Sequence, residues 1–291
     1  MNSFIGNVVL FLIREGEHHG FMLDLLPKEK NTFLIKVLRE LGVGKLFSKY
    51  VDGLSYQKKN DLYYTLINKY RIPIALVPSR SLEEKYIESL NYLLKNSSPK
   101  DLGDYLEFGV FQGASMICMH KALKQLNLNQ VRMFGFDSFE GLPDVDDGEM
   151  RWTPGQFRSE YEFTIDRLKQ EEVDFDRTIL TKGFFSDTWN KEFIEKHNIK
   201  KVSVIMLDCD LYSSSKEALD LCIPLIRDEA IIVFDDWGDA DAANEGQQLL
   251  FREFVQGNPQ FKLMERETYG QNTKMFLVQK VKVKGVSLSA N

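Results

Sequence analysis

The sequence predicts an α/β protein whose main domain is a doubly wound sheet, and the pattern of residues 104 to 279 carries this prediction. Short apolar runs alternate there with amphipathic segments, as strands and helices do when a parallel sheet is covered on both faces. The right-handed crossover rule makes such a sheet doubly wound. The last two strand-like runs are joined by Thr268–Asn272, a spacing that suits a hairpin. We therefore expect a mostly parallel seven-stranded sheet that ends in an antiparallel hairpin.

The individual elements follow from these runs. Strands are predicted at Tyr105–Phe108, Arg132–Phe136, Thr178–Thr181, Val202–Leu207, Ala230–Phe234, Phe261–Arg266 and Met275–Gln279. Helical segments between them include Ala114–Leu126, Phe157–Glu171 and Ser215–Ile226. Because strands and helices alternate over the first five runs, those strands are expected to be parallel to one another.

The first hundred residues have a different hydrophobic pattern. Helical periodicity without clear strands recurs there, as in Thr32–Leu38 and Leu82–Leu94, and Ser81 with Glu84 fits a capping box for the second of these helices. We therefore expect a helical N-terminal extension over residues 1–100, the sheet domain over 101–280 and a polar tail over 281–291.

Composition excludes several classes of protein. Of the 291 residues, 43% are apolar and 27% are charged, which is typical of a globular chain rather than a disordered one. The formal net charge of −6 argues against a protein that binds nucleic acid by neutralising phosphates. The apolar stretch Phe4–Ile13 is far shorter than the about 20 residues of a membrane span. We expect a cytoplasmic protein that does not bind membranes, with Cys118, Cys209 and Cys222 as buried thiols.

A glycine-containing turn follows the first predicted strand. The segment Glu107–Ser115 places Gly109 directly after the strand and Gly113 directly before a helix. Such a turn brings backbone N–H groups and a helix N-terminus close to a ligand. It departs from the GxGxxG pattern because Phe111 stands at the middle glycine position. A purely structural tight turn is the alternative.

An acidic residue ends the second predicted strand. Asp137 opens the segment Asp137–Pro143, and a carboxylate at this point of an open α/β sheet can accept hydrogen bonds from both hydroxyls of a ribose. An Asx turn would also account for Asp137 followed by Ser138. Two candidate ligand contacts at neighbouring strand ends favour the ribose interpretation.

Four carboxylates follow two further strands. Asp208 and Asp210 come after Val202–Leu207, and Asp235 and Asp236 come after Ala230–Phe234. Acids that cluster in this way destabilise one another unless a cation lies among them. Oxygen ligands without His or Cys select Mg²⁺, Mn²⁺ or Ca²⁺ rather than zinc. Solvated acidic loops that happen to align are the alternative.

Taken together, these motifs resemble a known family. The segments Glu107–Ser115, Asp137–Pro143 and Asp208–Tyr212, with Asp235 and Asp236, are similar in order and spacing to the macrocin O-methyltransferase (TylF/MycF-like) family. The resemblance covers residues from about 104 to 279. It implies a Rossmann-like class I methyltransferase fold and transfer of a methyl group from S-adenosylmethionine to a hydroxyl.

The resemblance also implies roles for individual residues. The S-adenosylmethionine site would comprise Glu107, Gly109, Gly113, Ser115, Asp137, Ser138, Gly183 and Phe185. Within it, Glu107 would hold the amino group, Asp137 the ribose, and the segment that begins at Gly183 part of the adenine wall. The ligands of Mg²⁺ or Mn²⁺ would be Asp208, Asp235 and Asp236. Asp208 and Asp210 are the candidate catalytic residues, with Asp210 as the general base.

The chemistry of the residues agrees with this assignment of metal ligands and a general base. A cation held by carboxylates can bind a substrate hydroxyl and lower its pKa, and a neighbouring carboxylate can accept the proton. Vicinal oxygens would chelate such a cation best, which favours sugar diols or catechols. Family members modify sugars of glycosylated natural products, so a sugar-containing small molecule is the expected acceptor. The N-terminal extension would supply the lid and much of the acceptor pocket. Asp144–Phe157 is expected to form a loop beside the site, in which Trp152 would either stack on the acceptor or anchor the loop. Such extensions often build dimers, so a homodimer is also considered.

Three other functions use only some of these features. A nicotinamide-dependent dehydrogenase would have its glycine turn near the start of the chain and would leave the four carboxylates unused. A metal-dependent hydrolase would use the carboxylates but would not need the glycine turn or Asp137. A binding protein without turnover would be expected to lack a metal ligand or the base. The methyltransferase interpretation uses all of these features.

Overall fold

The computed structural model of the chain describes residues 53–145, 152–238 and 245–281. Its seven strands are β1 Asp104–Phe108, β2 Met133–Asp137, β3 Thr178–Lys182, β4 Val202–Leu207, β5 Glu229–Phe234, β6 Phe261–Arg266 and β7 Lys274–Lys280. They form one sheet in the order β3-β2-β1-β4-β5-β7-β6. The first five strands are parallel, and β7 is antiparallel to both β5 and β6. The predicted mostly parallel sheet with a final antiparallel hairpin is therefore confirmed.

Eight α-helices occur in the described residues. They are α1 Tyr56–Lys69, α2 Ser79–Leu93, α3 Ala114–Gln125, α4 Tyr161–Gln170, α5 Phe185–Thr188, α6 Lys191–Lys196, α7 Tyr212–Cys222 and α8 Gly246–Gly257. Short 3₁₀ turns follow α2 at Pro99–Asp101 and α7 at Ile223–Leu225. Within the described ranges, no helix combines the length and the apolar character that crossing a bilayer requires.

Three predicted helix starts are wrong. The helix expected from Ser215 begins three residues earlier, at Tyr212, as α7. The other two starts differ for local reasons. The helix expected from Phe157 begins at Tyr161 as α4, because Phe157 has a left-handed φ of 62° that a helix cannot contain. Helix α2 begins at Ser79 after Pro78, so Ser81 lies inside the helix instead of capping it. Glu84 then pairs with Arg80, at a distance of 3.2 Å between Nε and Oε1.

The core is divided between the two faces of the sheet, as expected for a doubly wound fold. One apolar cluster joins α2, α3 and α4 to alternate residues of the strands, for example Tyr105 and Met133. A second cluster joins α5, α7 and α8 to the intervening residues, for example Leu106 and Phe134. Every residue of β1, β2, β4 and β5 is buried, and most of these residues are apolar. All three cysteines are free and buried, as predicted.

The chain before the sheet contacts it in two ways. Helix α2 packs directly into the first apolar cluster, where Tyr86 and Leu90 are almost completely buried. Helix α1 instead forms a smaller cluster in which Tyr64 and Ile67 pack against Phe111. The division of the chain at residue 100 stays a prediction. The predicted helix Thr32–Leu38, the stretch Phe4–Ile13 and residues 282–291 of the tail lie outside the described residues.

Candidate functional site

The register of the parallel strands brings the predicted site residues to one edge of the sheet. Phe108 pairs with Phe136 on one side and with Leu207 on the other, and Leu207 pairs with Phe234. The residues that follow these four are therefore neighbours along the carboxyl edge. They are Gly109, Asp137, Asp208 and Asp235. Ligands of open α/β sheets bind at this edge.

Gly109 connects the glycine turn to the acidic cluster. Its φ is +91°, and a Cβ built on it would lie 1.5 Å from the backbone oxygen of Asp208. A side chain at this position is therefore excluded by both conformation and space. The N–H of Asp208 donates to the carbonyl of Phe108 at 2.9 Å, which holds the two loops together. The turn after β1 and the carboxylates after β4 consequently form one structural unit.

The end of the same turn opens α3. Gly113, with φ +79°, is the N-cap residue of this helix, and a Cβ there would lie 2.9 Å from the side chain of Leu168. Ser115, in the first turn of α3, lines the cavity described below. Its hydroxyl donates to Oε1 of Glu107 at 2.5 Å. The side chain of Glu107 lies below the turn and does not line the cavity.

Glu107 has an unusual environment for a carboxylate. It has no solvent exposure, and Oε2 accepts a hydrogen bond from the hydroxyl of Tyr105. The Tyr105 hydroxyl also contacts that of Tyr86 at 3.1 Å. Burial raises the pKa of Glu107 to about 8, although the hydrogen bonds from Ser115 and Tyr105 lower it. A positive charge above Ser115 would favour the ionised form of Glu107.

Asp137 binds the backbone of the two turns beside it. Oδ2 accepts hydrogen bonds from the N–H groups of Val110, at 2.9 Å, and Phe111, at 2.7 Å. Oδ1 accepts one from the N–H of Phe139 at 2.6 Å. Phe111 and Phe139 both have left-handed φ angles, of 50° and 58°. Asp137 therefore stabilises two strained residues while it lines the cavity. Burial raises the pKa of Asp137, and these three hydrogen bonds lower it.

Three of the four carboxylates form a compact oxygen cluster. One oxygen from each of Asp208, Asp235 and Asp236 lies within 4.8 Å of the others, and all three residues are partly exposed. Burial, followed by the negative charges of Asp235 and Asp236, raises the pKa of Asp208 well above its ordinary value. Burial also raises the pKa of Asp235. Like charges at this separation are stabilised by a divalent cation, and a donor set made only of carboxylates fits Mg²⁺ or Mn²⁺.

The fourth carboxylate adjoins this cluster. Asp210 lines the same cavity, and its backbone N–H donates to Oδ2 of Asp236 at 2.8 Å. Its φ of 61° is left-handed, which directs the chain sharply from β4 into α7. Backbone strain of this kind is concentrated at functional sites.

Two residues that contact the cluster were not predicted as site residues. The hydroxyl of Tyr269 donates to Oδ1 of Asp235, and the side chain of Gln247 contacts both the backbone and the carboxylate of Asp236. Tyr269 could have been found from the register. Because β7 runs antiparallel to β5, the turn before β7 must lie near the end of β5. Nothing in the spacing of the sequence indicates Gln247.

A cavity of about 650 Å³ joins these groups. Of the predicted site residues, it is lined by Gly109, Ser115, Asp137, Ser138, Phe185, Asp208, Asp210, Asp235 and Asp236. Glu107, Gly113 and Gly183 do not line it. Gly183 nevertheless lies beside β2, since its N–H donates to the carbonyl of Asp137 at 2.9 Å. The Ser138 hydroxyl donates to the carbonyl of Gly141 at 2.9 Å, which closes the turn after β2.

An aromatic group forms one wall of the cavity. Phe111, Phe157 and Trp152 line it, and the rings of Trp152 and Phe157 meet edge to face with centroids 5.7 Å apart. Tyr64 of α1 packs behind them, 5.9 Å from Phe157 and 6.3 Å from Phe111. Residues 146–151 of the predicted loop lie outside the described part of the chain.

The fold and the candidate site together define a class of protein. A seven-stranded sheet with its final strand pair antiparallel, a glycine turn after β1 and an acid after β2 are typical of S-adenosylmethionine-dependent methyltransferases. The chain belongs to the macrocin O-methyltransferase (TylF) family, whose family model matches residues 83–256. This confirms the resemblance found in the sequence.

Two relatives from actinomycetes illustrate this membership. The 8-demethyl-8-(2,3-dimethoxy-alpha-L-rhamnosyl)-tetracenomycin-C 4'-O-methyltransferase of Streptomyces olivaceus is 28% identical over 162 residues, or 53% of this chain and 60% of the relative. The mycinamicin III 3''-O-methyltransferase of Micromonospora griseorubida is 23% identical over 141 residues, or 46% of this chain and 55% of the relative. The chain thus spans about 60% or less of the length of these curated relatives.

Solved structures share the fold. The O-methyltransferase NovP has a TM-score of 0.53 at 18% identity, with 69% of this chain and 80% of that chain covered. The calicheamicin methyltransferase CalS11 has a TM-score of 0.51 at 17% identity, with 89% of this chain and 97% of that chain covered. At these identities the similarity concerns the fold alone.

Proposed function

We propose that this protein transfers the methyl group of S-adenosylmethionine to a hydroxyl of a small, sugar-containing acceptor, with the help of a divalent cation. One observation carries the proposal. The glycine turn and the carboxylate cluster line a single cavity, and Gly109 lies directly against the backbone of Asp208. A methyl donor bound at the turn would therefore lie beside an acceptor bound at the cluster.

The cofactor would bind along the ends of β1, β2 and β3. Gly109, Gly113 and Ser115 would allow its methionine part to approach the backbone, with the carboxylate of Glu107 behind Ser115. Asp137 and Ser138 would contact the ribose. Asp137 already accepts three backbone hydrogen bonds, so a ribose hydroxyl would share its oxygens with the turns. Gly183 and Phe185 would belong to the adenine wall.

The remaining carboxylates would act on the acceptor. S-adenosylmethionine supplies an electrophilic methyl group, and a divalent cation lowers the pKa of a hydroxyl that it holds. Asp208, Asp235 and Asp236 would hold the cation, and Asp210 would accept the proton from the hydroxyl. When bound, S-adenosylmethionine would supply the methyl group to the acceptor oxygen, and the carbon–sulfur bond would break to leave S-adenosylhomocysteine. Orientation of the two substrates in one cavity supplies much of the rate.

The lining of the cavity supports an uncharged acceptor with an apolar part. Leu76 and Val145 line the cavity although 44% and 47% of their surfaces are exposed, and they are joined by Leu142, Pro143 and Trp152. Among the described residues, no Lys or Arg lines this cavity. A glycoside with an apolar aglycone fits this lining. The name of one relative described above includes a rhamnosyl group, and the name of the other includes mycinamicin III.

Calorimetry is the first test. The purified protein is titrated with S-adenosylmethionine and S-adenosylhomocysteine, with and without Mg²⁺, and acceptors are then screened for addition of a methyl group by mass spectrometry. Binding of both ligands supports the cofactor assignment. Absence of binding under every condition would instead favour an acidic metal-dependent hydrolase and a purely structural glycine turn. Binding without methylation of any glycoside would favour a binding protein without turnover.

Two substitutions separate the proposed roles. Asp208→Asn should reduce turnover by at least about 100-fold while S-adenosylhomocysteine binds as in the wild type, because only the acceptor side loses a charge. Asp137→Ala should instead weaken S-adenosylhomocysteine binding by about 10-fold or more, because a buried acceptor of several hydrogen bonds is lost. Calorimetry and initial rates measure both effects. Full activity of Asp208→Asn would contradict the metal assignment.

A further inference from the structure

Two buried side chains outside the predicted site contact the carboxylates after β5. Tyr269 lies in the turn between β6 and β7, and its hydroxyl donates to Oδ1 of Asp235. Gln247 lies in the first turn of α8, and its Oε1 accepts a hydrogen bond from the N–H of Asp236 at 3.1 Å. Its Nε2 is 3.4 Å from Oδ2 of Asp236. Neither residue lines the cavity, and their exposed fractions are 6% and 0%.

The hydroxyl of Tyr269 is the partner that restrains Asp235. It is a hydrogen-bond donor toward Oδ1 of this carboxylate. A hydrogen bond donated to one oxygen of Asp235 fixes the rotation of the whole carboxylate group.

Gln247 has a wider role because its amide joins three elements. Besides Asp236, its Nε2 donates to the carbonyl of Leu207 at 3.1 Å and to Oγ of Ser215 at 3.3 Å. Leu207 is the last residue of β4 and directly precedes Asp208. The amide thus fixes the end of β4 relative to the loop after β5. It thereby fixes the distance between the carboxylates that these strands provide.

We propose that Tyr269 and Gln247 are positioning residues of the carboxylate cluster, which hold Asp235 and Asp236 in the orientation that binds a divalent cation. The inference rests on the proposed cation site. Three carboxylates repel one another and would turn apart without partners that restrain them. Partners of metal ligands typically change metal affinity by about 10- to 100-fold. Both residues act through the carboxylates and do not touch the reacting atoms.

The test measures binding of Mn²⁺ alone to the full chain by electron paramagnetic resonance. Tyr269→Phe removes one hydroxyl and keeps the ring that fills the core. We expect its Kd for Mn²⁺ to rise about 10-fold. Its affinity for S-adenosylhomocysteine without metal should stay as in the wild type, since the proposed cofactor contacts lie at the glycine turn and at Asp137.

Tyr161→Phe is the matched control. Its hydroxyl donates to the carbonyl of Leu180 at 3.3 Å, in the apolar cluster on the same face of the sheet but away from the carboxylates. Its affinity for Mn²⁺ should equal that of the wild type. Gln247→Met, which keeps the length of the side chain without its amide, should weaken Mn²⁺ binding in the same direction as Tyr269→Phe.

The outcomes distinguish this inference from the proposed function. If the wild type does not bind Mn²⁺, the cation site itself fails, and the inference fails with it. If the wild type binds Mn²⁺ and Tyr269→Phe binds it equally well, the positioning role is overturned while the cation site stands. Equal weakening in Tyr269→Phe and Tyr161→Phe would also overturn it, because the effect would then follow from any lost core hydroxyl. Selective weakening in Tyr269→Phe supports it.

Discussion

Glu107 couples the stability of the protein to pH through one buried proton. Burial raises its pKa to about 8 in the folded chain. A glutamate in an unfolded chain titrates near about 4.3. Between these two values the folded chain retains a proton that the unfolded chain has lost. The contribution of Glu107 to stability is therefore fully present below about pH 4 and is lost as the pH rises through about 8.

Glu107→Gln should remove this dependence, because the amide does not titrate. We expect the free energy of unfolding of the wild type to fall relative to that of the variant between about pH 5 and pH 8. The relative slope should reach at most about 1.4 kcal/mol per pH unit. Urea unfolding at several pH values, without added metal, measures it. Parallel pH profiles for the two proteins would show that Glu107 titrates normally.

For Glu107 and Asp137, the sequence predicts the position in the sheet but not the hydrogen-bond partners. The order of motifs indicated that Glu107 and Asp137 lie at the strand ends, and the structure places them there. Their hydrogen bonds were not predicted. Glu107 bonds to Tyr105 and Ser115, and Asp137 bonds to three backbone N–H groups. Such contacts depend on turns with left-handed residues other than glycine, which spacing does not reveal.

At the level of elements, one arginine attaches the loop before α4 to α1. Nη1 of Arg158 donates to Oδ1 of Asp61 at 3.0 Å, and Nη2 donates to the carbonyl of Asp61 at 2.7 Å and to Oγ1 of Thr65 at 3.0 Å. The carbonyl of Arg158 accepts a hydrogen bond from Nδ2 of Asn68 at 3.1 Å. This attachment holds Phe157 in the aromatic wall of the cavity.

Arg158→Ala should release that wall. We expect the KM for the acceptor to rise about 5- to 10-fold, since several hydrogen bonds to a charged but partly exposed group are lost. The affinity for S-adenosylhomocysteine should stay unchanged. Arg158→Lys should recover little, because an ammonium cannot form the same forked contacts. Steady-state kinetics with the best acceptor from the screen measure these effects.

Arg71→Ala provides the control for this prediction. Arg71 follows α1 and also links it to the sheet domain, since its Nη1 lies 2.9 Å from Oδ2 of Asp166 in α4. Its contact with the loop that carries Phe157 is an ion pair of 4.0 Å between Nε and Oε2 of Glu160, the last residue before α4. If Arg71→Ala raised the KM for the acceptor as much as Arg158→Ala, the effect would reflect general loosening of α1 and not release of the aromatic wall.

The elements differ in how well the sequence indicates them. All seven strands were predicted to within about one residue of their observed ends. Mostly apolar runs bounded by polar segments are characteristic of the five parallel strands, and the spacing around Thr268–Asn272 is characteristic of the final hairpin. Helix starts were less predictable. The start of α4 depends on the left-handed Phe157, and that of α2 depends on Pro78 acting without a side-chain cap. Both are local backbone features that periodicity does not detect.

For the whole molecule, strand order determines which distant residues meet. The prediction that Asp208 and Asp235 are neighbours follows from parallel strands in sequence order, and β4 and β5 are adjacent. Gln247 reaches the cluster from α8, and this contact depends on how the helix docks on the sheet. Docking is determined by packing of the whole apolar face, which a single sequence does not encode in local spacing. The proximity of the candidate residues was therefore predictable where the sheet determines it.

Cation binding should also stabilise the whole protein, because a ligand that binds only the folded state shifts the equilibrium away from the unfolded state. At about 100 times its Kd, Mg²⁺ should add about 2.7 kcal/mol, or about 5–10 °C in the thermal midpoint. Asp235→Asn should melt above the wild type without metal, because one of three repelling carboxylates is neutralised, and should no longer respond to Mg²⁺. Differential scanning calorimetry with Mg²⁺ or a chelator measures both effects. Equal metal responses in the two proteins would mean that Mg²⁺ binds elsewhere.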